Sequence, residues 1–274
     1  MRKLLKGGSA IILAFLMAIQ FIQYDMVHAG TSADDGDYTQ TKAVNQREET
    51  KAKITDNSVV KAPKRASALS AKDEVTIPDK NLKEAIVFQL SKQGIKVKDG
   101  KITKEMMEKM SGLDNDLNFT QQMAGKGIKN LDGLQYATNI TRLHLGYNEV
   151  TDLSPLKGLK KLQFLKLDDN YIKDVSPLSS LTELKKLNLS QNEILDARPI
   201  ADLRKLEELN MYGNRKLTSI AGFDKLTDLK KLNLGRCIGI TDISPLASST
   251  KLEELYFYNN KVEDISKLSK LTNL

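Results

Sequence analysis

The chain has 274 residues, 40% of them apolar, and a formal net charge of +7 at pH 7. These values are typical of a soluble protein of one or two domains. Basic and acidic residues are mixed along the sequence, which argues against a dedicated nucleic-acid surface. A single cysteine, Cys237, excludes an internal disulfide.

The N-terminus has the pattern of a secretory signal peptide. Basic "MRKLLK" precedes a stretch without charge from Gly7 to Tyr24, and "VHA" places small residues where a signal peptidase cleaves. We therefore predict a signal peptide at residues 1–29, cleaved after Ala29. The competing interpretation is an uncleaved membrane anchor, for which the stretch is barely long enough. Cleavage predicts a secreted or cell-surface protein of a Gram-positive bacterium, with no membrane insertion afterwards.

Two further segments precede the regular part of the sequence. Residues 30–75 are polar and aperiodic, which predicts a disordered spacer. Residues 76–136 are predicted to form a helical N-terminal cap. Within it, Asp79 can cap a helix with one apolar face, and Thr103 can cap a second, shorter helix.

Residues 137–274 repeat the pattern Leu-x-Leu-x-x-Asn in steps of 22 or 23 residues, about six times. The Asn-type positions are Asn148, Asn170, Asn192, Asn214, Cys237 and Asn260. This period is the signature of leucine-rich repeats. The inward leucines of one coil can be buried only against those of the next. We therefore predict an α/β leucine-rich-repeat solenoid, with a parallel β-sheet on the concave face, 3₁₀ or extended returns on the convex face and the small helical cap.

Two columns of polar residues are predicted to be structural. The six Asn-type residues should form a ladder whose side chains bond to backbone groups that have no strand partner. Cys237 can replace an asparagine there as a small, buried, weakly polar group. One aspartate per coil recurs at a turn position, where turn bonding explains it better than metal binding. These aspartates are Asp152, Asp174, Asp196, Asp242 and Asp264.

Residues beside the inward leucines should face the concave surface and supply a binding site. The candidates are Tyr147, Phe164, Lys166, Asp168, Tyr212, Tyr256 and Tyr258. Aromatic residues are favoured interface anchors, but they are also ordinary strand residues, so both interpretations stay open. Another column alternates in charge, which favours stabilisation of the stack over ligand recognition. Its members are Lys186, Glu208, Lys231 and Glu254.

The segment "GLQYATNITRLHLGYNEVTDLSPLKGLKKLQFLKLDDNYIKDVSPL" closely resembles the internalin family of Gram-positive surface proteins. The preceding "IPDKNLKEAI" and "GIKNLDGLQYATNI" resemble that family's cap, so the resemblance covers roughly residues 75–274. It implies an exported protein whose concave sheet binds another protein, often on a host cell. It also implies an immunoglobulin-like module and a wall anchor after the repeats. Neither is found in this sequence, so a truncated, non-functional fragment of a larger surface protein is an alternative.

The sequence offers little for catalysis. After signal cleavage it keeps one histidine, His144, predicted to be exposed, and one cysteine, Cys237, predicted to be buried. These exclude a conventional nucleophilic site built on a second histidine and leave no metal cluster. We expect a protein ligand, with a host-cell surface protein as one candidate, and no nucleic acid, cofactor, metal or enzymatic activity. A hydrolytic enzyme built on carboxylate pairs is a further alternative that no motif selects.

Overall fold

The computed structural model describes residues 73–110 and 124–274. The predicted signal peptide and nearly all of the predicted spacer lie outside these ranges. Within them, no helix combines the length and the apolar character that crossing a bilayer requires.

Among the described residues, two α-helices precede the repeats. Helix α1 spans Lys80–Lys92 and helix α2 spans Lys104–Lys109. Asp79 and Thr103 begin them, each accepting a hydrogen bond from the backbone N–H three residues on, at 3.0 and 3.2 Å. Such N-caps satisfy a donor that the first helical turn leaves free. The buried residues of α1 are Leu82, Ala85, Ile86, Gln89 and Leu90, and its four apolar ones belong to the core that continues through the repeats.

Each repeat contributes one three-residue strand to a single parallel sheet. The strands are β1 (Arg142–His144), β2 (Phe164–Lys166), β3 (Lys186–Asn188), β4 (Glu208–Asn210), β5 (Lys231–Asn233) and β6 (Glu254–Tyr256). They pair in sequence order, and residues one repeat apart face each other. The central leucine of every strand is buried, at 7% exposure or less. The cores of successive coils therefore join into one.

Short 3₁₀ segments return the chain to the start of the next strand. Those that follow the strands are Ser154–Leu156, Ser176–Ser180, Arg198–Asp202, Phe223–Lys225, Ser244–Ser248 and Ser266–Lys270. Four of them carry proline in the first turn, where its missing N–H is not needed. The predicted fold class, a leucine-rich-repeat solenoid with a helical cap, is confirmed.

The aspartates that precede five of these segments act in turns. In each, Oδ1 accepts a hydrogen bond from the backbone N–H two residues on, at 2.7–2.9 Å. That hydrogen bond holds the backbone in a turn where the 3₁₀ segment begins. The geometry matches the turn role expected from the sequence.

The recurrent asparagines connect neighbouring coils. The Oδ1 atom of Asn170 accepts from the N–H of Val150 at 2.9 Å, and its Nδ2 donates to the carbonyl of Leu145 at 2.9 Å. Asn192 makes equivalent bonds to the coil before it. Asn214 does the same. Each side chain thus satisfies a donor and an acceptor that the sheet leaves unpaired.

Candidate functional site

The concave face is formed by the strands and by two further residues in each coil, which follow the apolar residue after the strand (Leu, Met211 or Phe257). The second of these has a positive φ, between 52° and 77°, in all six coils. This left-handed residue bends each coil away from the sheet. The residues are Tyr147, Asp169, Gln191, Gly213, Arg236 and Asn259. Only one of the six is glycine, the residue type that usually marks a positive φ, so the bend was hard to predict from the sequence.

An aromatic cluster occupies the β4–β6 end of this face. The rings of Tyr212 and Tyr258 lie 6.1 Å apart, tilted by 49°, on either side of the strand that leads to Gly235. A side chain at Gly235 would come within 2.8 Å of the Tyr258 ring, so glycine makes room for that ring. The Arg236 guanidinium lies 5.8 Å from the centre of the Tyr212 ring. Tyr256 is half-buried beside them, and its hydroxyl lies 3.3 Å from Glu254 Oε2.

The other candidate aromatics lie towards β1. Phe164 has the Arg142 guanidinium 4.0 Å from its ring centre and the Lys186 ammonium at 6.0 Å. Tyr147 is 62% exposed, and Lys166 is exposed as well. Among the candidate aromatics, the structure brings Tyr212 and Tyr258 into contact, and Arg236 joins them.

The charged column is paired across strands. Lys186 and Glu208 lie 2.6 Å apart, and Lys231 forms a second ion pair with Glu254. Exposed pairs of this kind contribute at most about 1 kcal/mol each. They matter more for recognition. Within each pair the two opposite charges cancel, so this part of the face has no strong electrostatic field.

Two sequence expectations of exposure are wrong. His144 is only 9% exposed, and Asp168, a candidate partner-binding residue, is only 5% exposed. Both side chains fold over Gly146, where a Cβ would lie 2.9 Å from His144 Nε2 and 2.8 Å from Asp168 Oδ1. Because glycine leaves that space open, the two side chains are buried against the sheet.

Burial and nearby charges shift the pKa values of three residues around Gly146. Burial raises the pKa of Asp169, and the adjacent Asp168 raises it further. Burial, Asp169 and Asp168 likewise raise the pKa of Tyr147. For His144, burial and the positive charge of Lys166 lower the pKa, against an opposing effect of Asp168. The imidazole is therefore neutral near pH 7.

Cys237 has no features of a nucleophile. Its side chain is fully buried, and burial raises the thiol pKa to about 12. Its Sγ donates to the carbonyl of Met211 at 3.2 Å. Across residues 73–110 and 124–274, no three His, Cys, Asp or Glu side chains gather closely enough to hold a metal ion.

Comparisons with known proteins agree with this architecture. The family described as Leucine Rich repeats (2 copies) matches residues 138–180, 182–225 and 204–248. An internalin (inlF) from Listeria monocytogenes str. 4b F2365 is 32% identical, with a TM-score of 0.61, over 72% of this chain and 55% of that one. Internalin C2 (inlC2) from the same strain is 26% identical, with a TM-score of 0.51, over 74% of this chain and 95% of that one. No curated protein matches the sequence.

The chain thus spans about half of the internalin F chain. Matches of this extent support the fold and an internalin-like character. The chain is a leucine-rich-repeat solenoid of internalin-like structure, a fold that serves as a protein-interaction module.

Proposed function

We propose that this protein is an exported, internalin-like module that binds a protein partner with its concave face, in adhesion to or interaction with a host cell. The observation that carries the proposal is the packed pair of Tyr212 and Tyr258, with Tyr256 on strand β6. They lie on a face where Lys186 pairs with Glu208 and Lys231 pairs with Glu254. Packed tyrosines offer large contact areas and lose little conformational freedom on binding.

The dimensions of the face favour a macromolecule. Six strands spaced about 4.8 Å apart give a surface about 24 Å wide, which suits a folded protein better than a small molecule. The aromatic cluster supplies apolar anchors, and the paired lysines and glutamates supply a polar surround. This division is typical of protein interfaces.

Export and the host cell are supported by two further observations. The N-terminal sequence has the pattern of a signal peptide. The similar solved structures are internalins from Listeria monocytogenes, the family whose resemblance implies export.

Binding to cells tests the partner class. Fluorescently labelled full-length protein is added to cultured epithelial cells, untreated or treated with a surface protease. We expect saturable binding that the protease removes. Binding that survives the protease, or none at all, contradicts a protein partner on the cell.

Intact mass tests export separately. The native protein is isolated from culture medium and from the cell-wall fraction, and each sample is weighed by mass spectrometry. We expect the N-terminus to begin at Gly30. A protein that retains residues 1–29 and stays inside the cell contradicts the proposed export.

A further inference from the structure

Three asparagines lie side by side on the concave face. Asn188, Asn210 and Asn233 are the last residues of β3, β4 and β5, and the register of the sheet places each opposite the next. Neighbouring strands lie about 4.8 Å apart, so the three amides form a short row across the sheet. All three side chains are half-buried. The row lies between the paired charges at the start of these strands and the tyrosine cluster.

The backbone fixes the orientation of the three amides. Each Oδ1 atom accepts a hydrogen bond from the backbone N–H two residues on, at 2.9–3.0 Å. Because the donor is a backbone N–H, the side-chain atom that faces it is the oxygen, which leaves the Nδ2 group for other partners. No residue in the described part of the chain accepts from these Nδ2 groups. The face therefore presents three N–H₂ donors in a row.

The fold does not require asparagine at these positions. The same column holds His144 in β1, Lys166 in β2 and Tyr256 in β6, and those strands pair in the same register. The ladder that joins the coils uses other residues, four positions further along each coil. The row is thus a feature of the surface of β3–β5, and its donors are available for binding.

The charge that remains on this part of the face is positive. The two glutamates of the charged column are each paired with a lysine, so they do not repel an anion. Arg236 forms no ion pair with any residue that the structure describes, and its guanidinium lies 5.8 Å from the centre of the Tyr212 ring. An arginine held beside an aromatic ring keeps its N–H groups available for a carboxylate.

The donors and the arginine together define the chemistry of the partner. A partner that covers the row displaces water from three N–H₂ groups, and affinity is lost unless it supplies acceptors. Carboxylates are the strongest acceptors among side chains, and they also neutralise Arg236. We propose that the partner presents an acidic peptide segment to β3–β5, whose Asp and Glu side chains bind the asparagine row and Arg236. This inference rests on the proposed function, because it specifies the partner of the same concave face.

Selection of peptides tests the inference without cells. Random short peptides displayed on phage are selected on the full-length protein, and the enriched sequences are synthesised with a fluorescent label. We expect the selected sequences to contain more Asp and Glu than the starting library. Their affinity, measured by fluorescence anisotropy, should fall when salt is added or when Glu is replaced by Gln in the peptide.

Two variants of the protein locate the binding site for these peptides. Arg236→Gln removes the cation and should weaken binding by about tenfold or more. Asn210→Asp keeps the oxygen that accepts from Tyr212 N–H but replaces the N–H₂ donor with a carboxylate oxygen. Repulsion of the acidic peptide should then weaken binding by about tenfold or more. Circular dichroism confirms that both variants are folded.

Two matched controls change the net charge by the same amounts elsewhere. Arg198→Gln removes an exposed arginine from a 3₁₀ segment. Asn130→Asp makes the same substitution at an exposed asparagine whose Oδ1 also accepts from the N–H two residues on. Both should bind the selected peptides like the wild type.

Three results overturn the inference. The first is a selection that yields no binding peptide, or peptides without an excess of Asp and Glu. The second is wild-type affinity in both Arg236→Gln and Asn210→Asp. The third is an equal loss in the controls, which reduces the effect to net charge. Protease-sensitive binding to cells combined with any of these results keeps the proposed function and removes only the acidic partner.

Discussion

At the scale of single residues, the ladder shows why one of its positions can be a cysteine. In the 22-residue coils, an asparagine Oδ1 accepts from a backbone N–H of the preceding coil, as Asn170 does from Val150. In the 23-residue coil after Asn214, the N–H of Leu217 bonds instead to the carbonyl of Asn214, at 3.0 Å. The extra residue forms a turn that supplies the acceptor. Cys237 is therefore needed only as a small, weak donor.

This explanation predicts that substitutions at different positions of the ladder lower the free energy of unfolding by different amounts. Asn170→Ala leaves the Val150 N–H and the Leu145 carbonyl without these bonds and should lower the free energy of unfolding by about 2–4 kcal/mol. Cys237→Ala removes one small side-chain group and its weak hydrogen bond to the Met211 carbonyl, and it should cost about 1 kcal/mol. Urea unfolding followed by circular dichroism measures both. Equal losses would show that the turn after Asn214 does not replace the asparagine.

The burial of His144 and Asp168 over Gly146 is a feature that sequence analysis did not predict. Strand alternation correctly places His144 and Asp168 on the concave side, but it says nothing about their depth. Their burial depends on the absence of a side chain at Gly146, which lies in the same coil as His144 and one coil before Asp168. Exposure on a solenoid face is thus set by neighbouring coils as well as by the local period.

At the scale of elements, one carboxylate joins helix α1 to the segment that precedes the first strand. Asp79 Oδ1 caps α1, and its Oδ2 accepts from the backbone N–H groups of Lys129 and Asn130 at 2.8 and 3.1 Å. Burial alone would raise the pKa of Asp79, but the backbone hydrogen bonds outweigh it and lower the pKa from its ordinary value of 3.8.

A lowered pKa has a defined consequence for stability. Asp79 stabilises the fold above its unfolded-state pKa, and this contribution is lost as pH falls through the lower, folded-state pKa. Asp79→Asn keeps the cap acceptor but places an amide N–H₂ against two donors, so it should cost about 1–3 kcal/mol at pH 7. Urea unfolding at several pH values should show this difference shrinking below pH 3.8.

The control for this prediction is Asp152→Asn, where one amide oxygen can keep the single turn bond to Ser154. We expect little change in the free energy of unfolding at pH 7. A difference between wild type and the Asp79 variant that stays constant down to pH 2 would contradict the role given to its two oxygens.

Helices, strands and returns were predictable because each follows a local rule. Asp79 and Thr103 are N-cap residues, the leucine period places the strands, and Ser-Pro or Arg-Pro starts four of the 3₁₀ segments. The arrangement of Tyr212 and Tyr258 was not predictable. It depends on Gly235 in the strand between them, and a repeat pattern does not give distances between coils.

At the scale of the whole molecule, stability comes from a core shared by all coils. Buried leucines continue from the cap through β6, and each coil is completed by its neighbours. Ion pairs also cross between coils, such as Lys205 with Glu183 and Lys251 with Asp228, both at 2.7 Å. These side chains are roughly half exposed, so such pairs add little.

Substitution of two leucines in one repeat distinguishes the contribution of the buried core from that of the surface. Leu187 is 2% exposed in the middle of the sheet, and Leu195 is 55% exposed. Leu187→Ala should lower the free energy of unfolding by about 2–5 kcal/mol, and Leu195→Ala by less than about 0.5 kcal/mol. Urea unfolding followed by circular dichroism measures both. Similar losses in the two variants would contradict a shared core as the main source of stability.

The measurement that tests the central claim most directly is the affinity of concave-face variants for cells. Tyr212→Ala and Tyr256→Ala each remove one ring of the cluster, and Tyr171→Ala removes a 53% exposed ring outside it. We expect the first two to weaken binding by about tenfold or more, with unfolding curves unchanged, and the third to bind like the wild type. Unchanged affinity in both cluster variants, or an equal loss in Tyr171→Ala, would contradict the concave face as the binding surface.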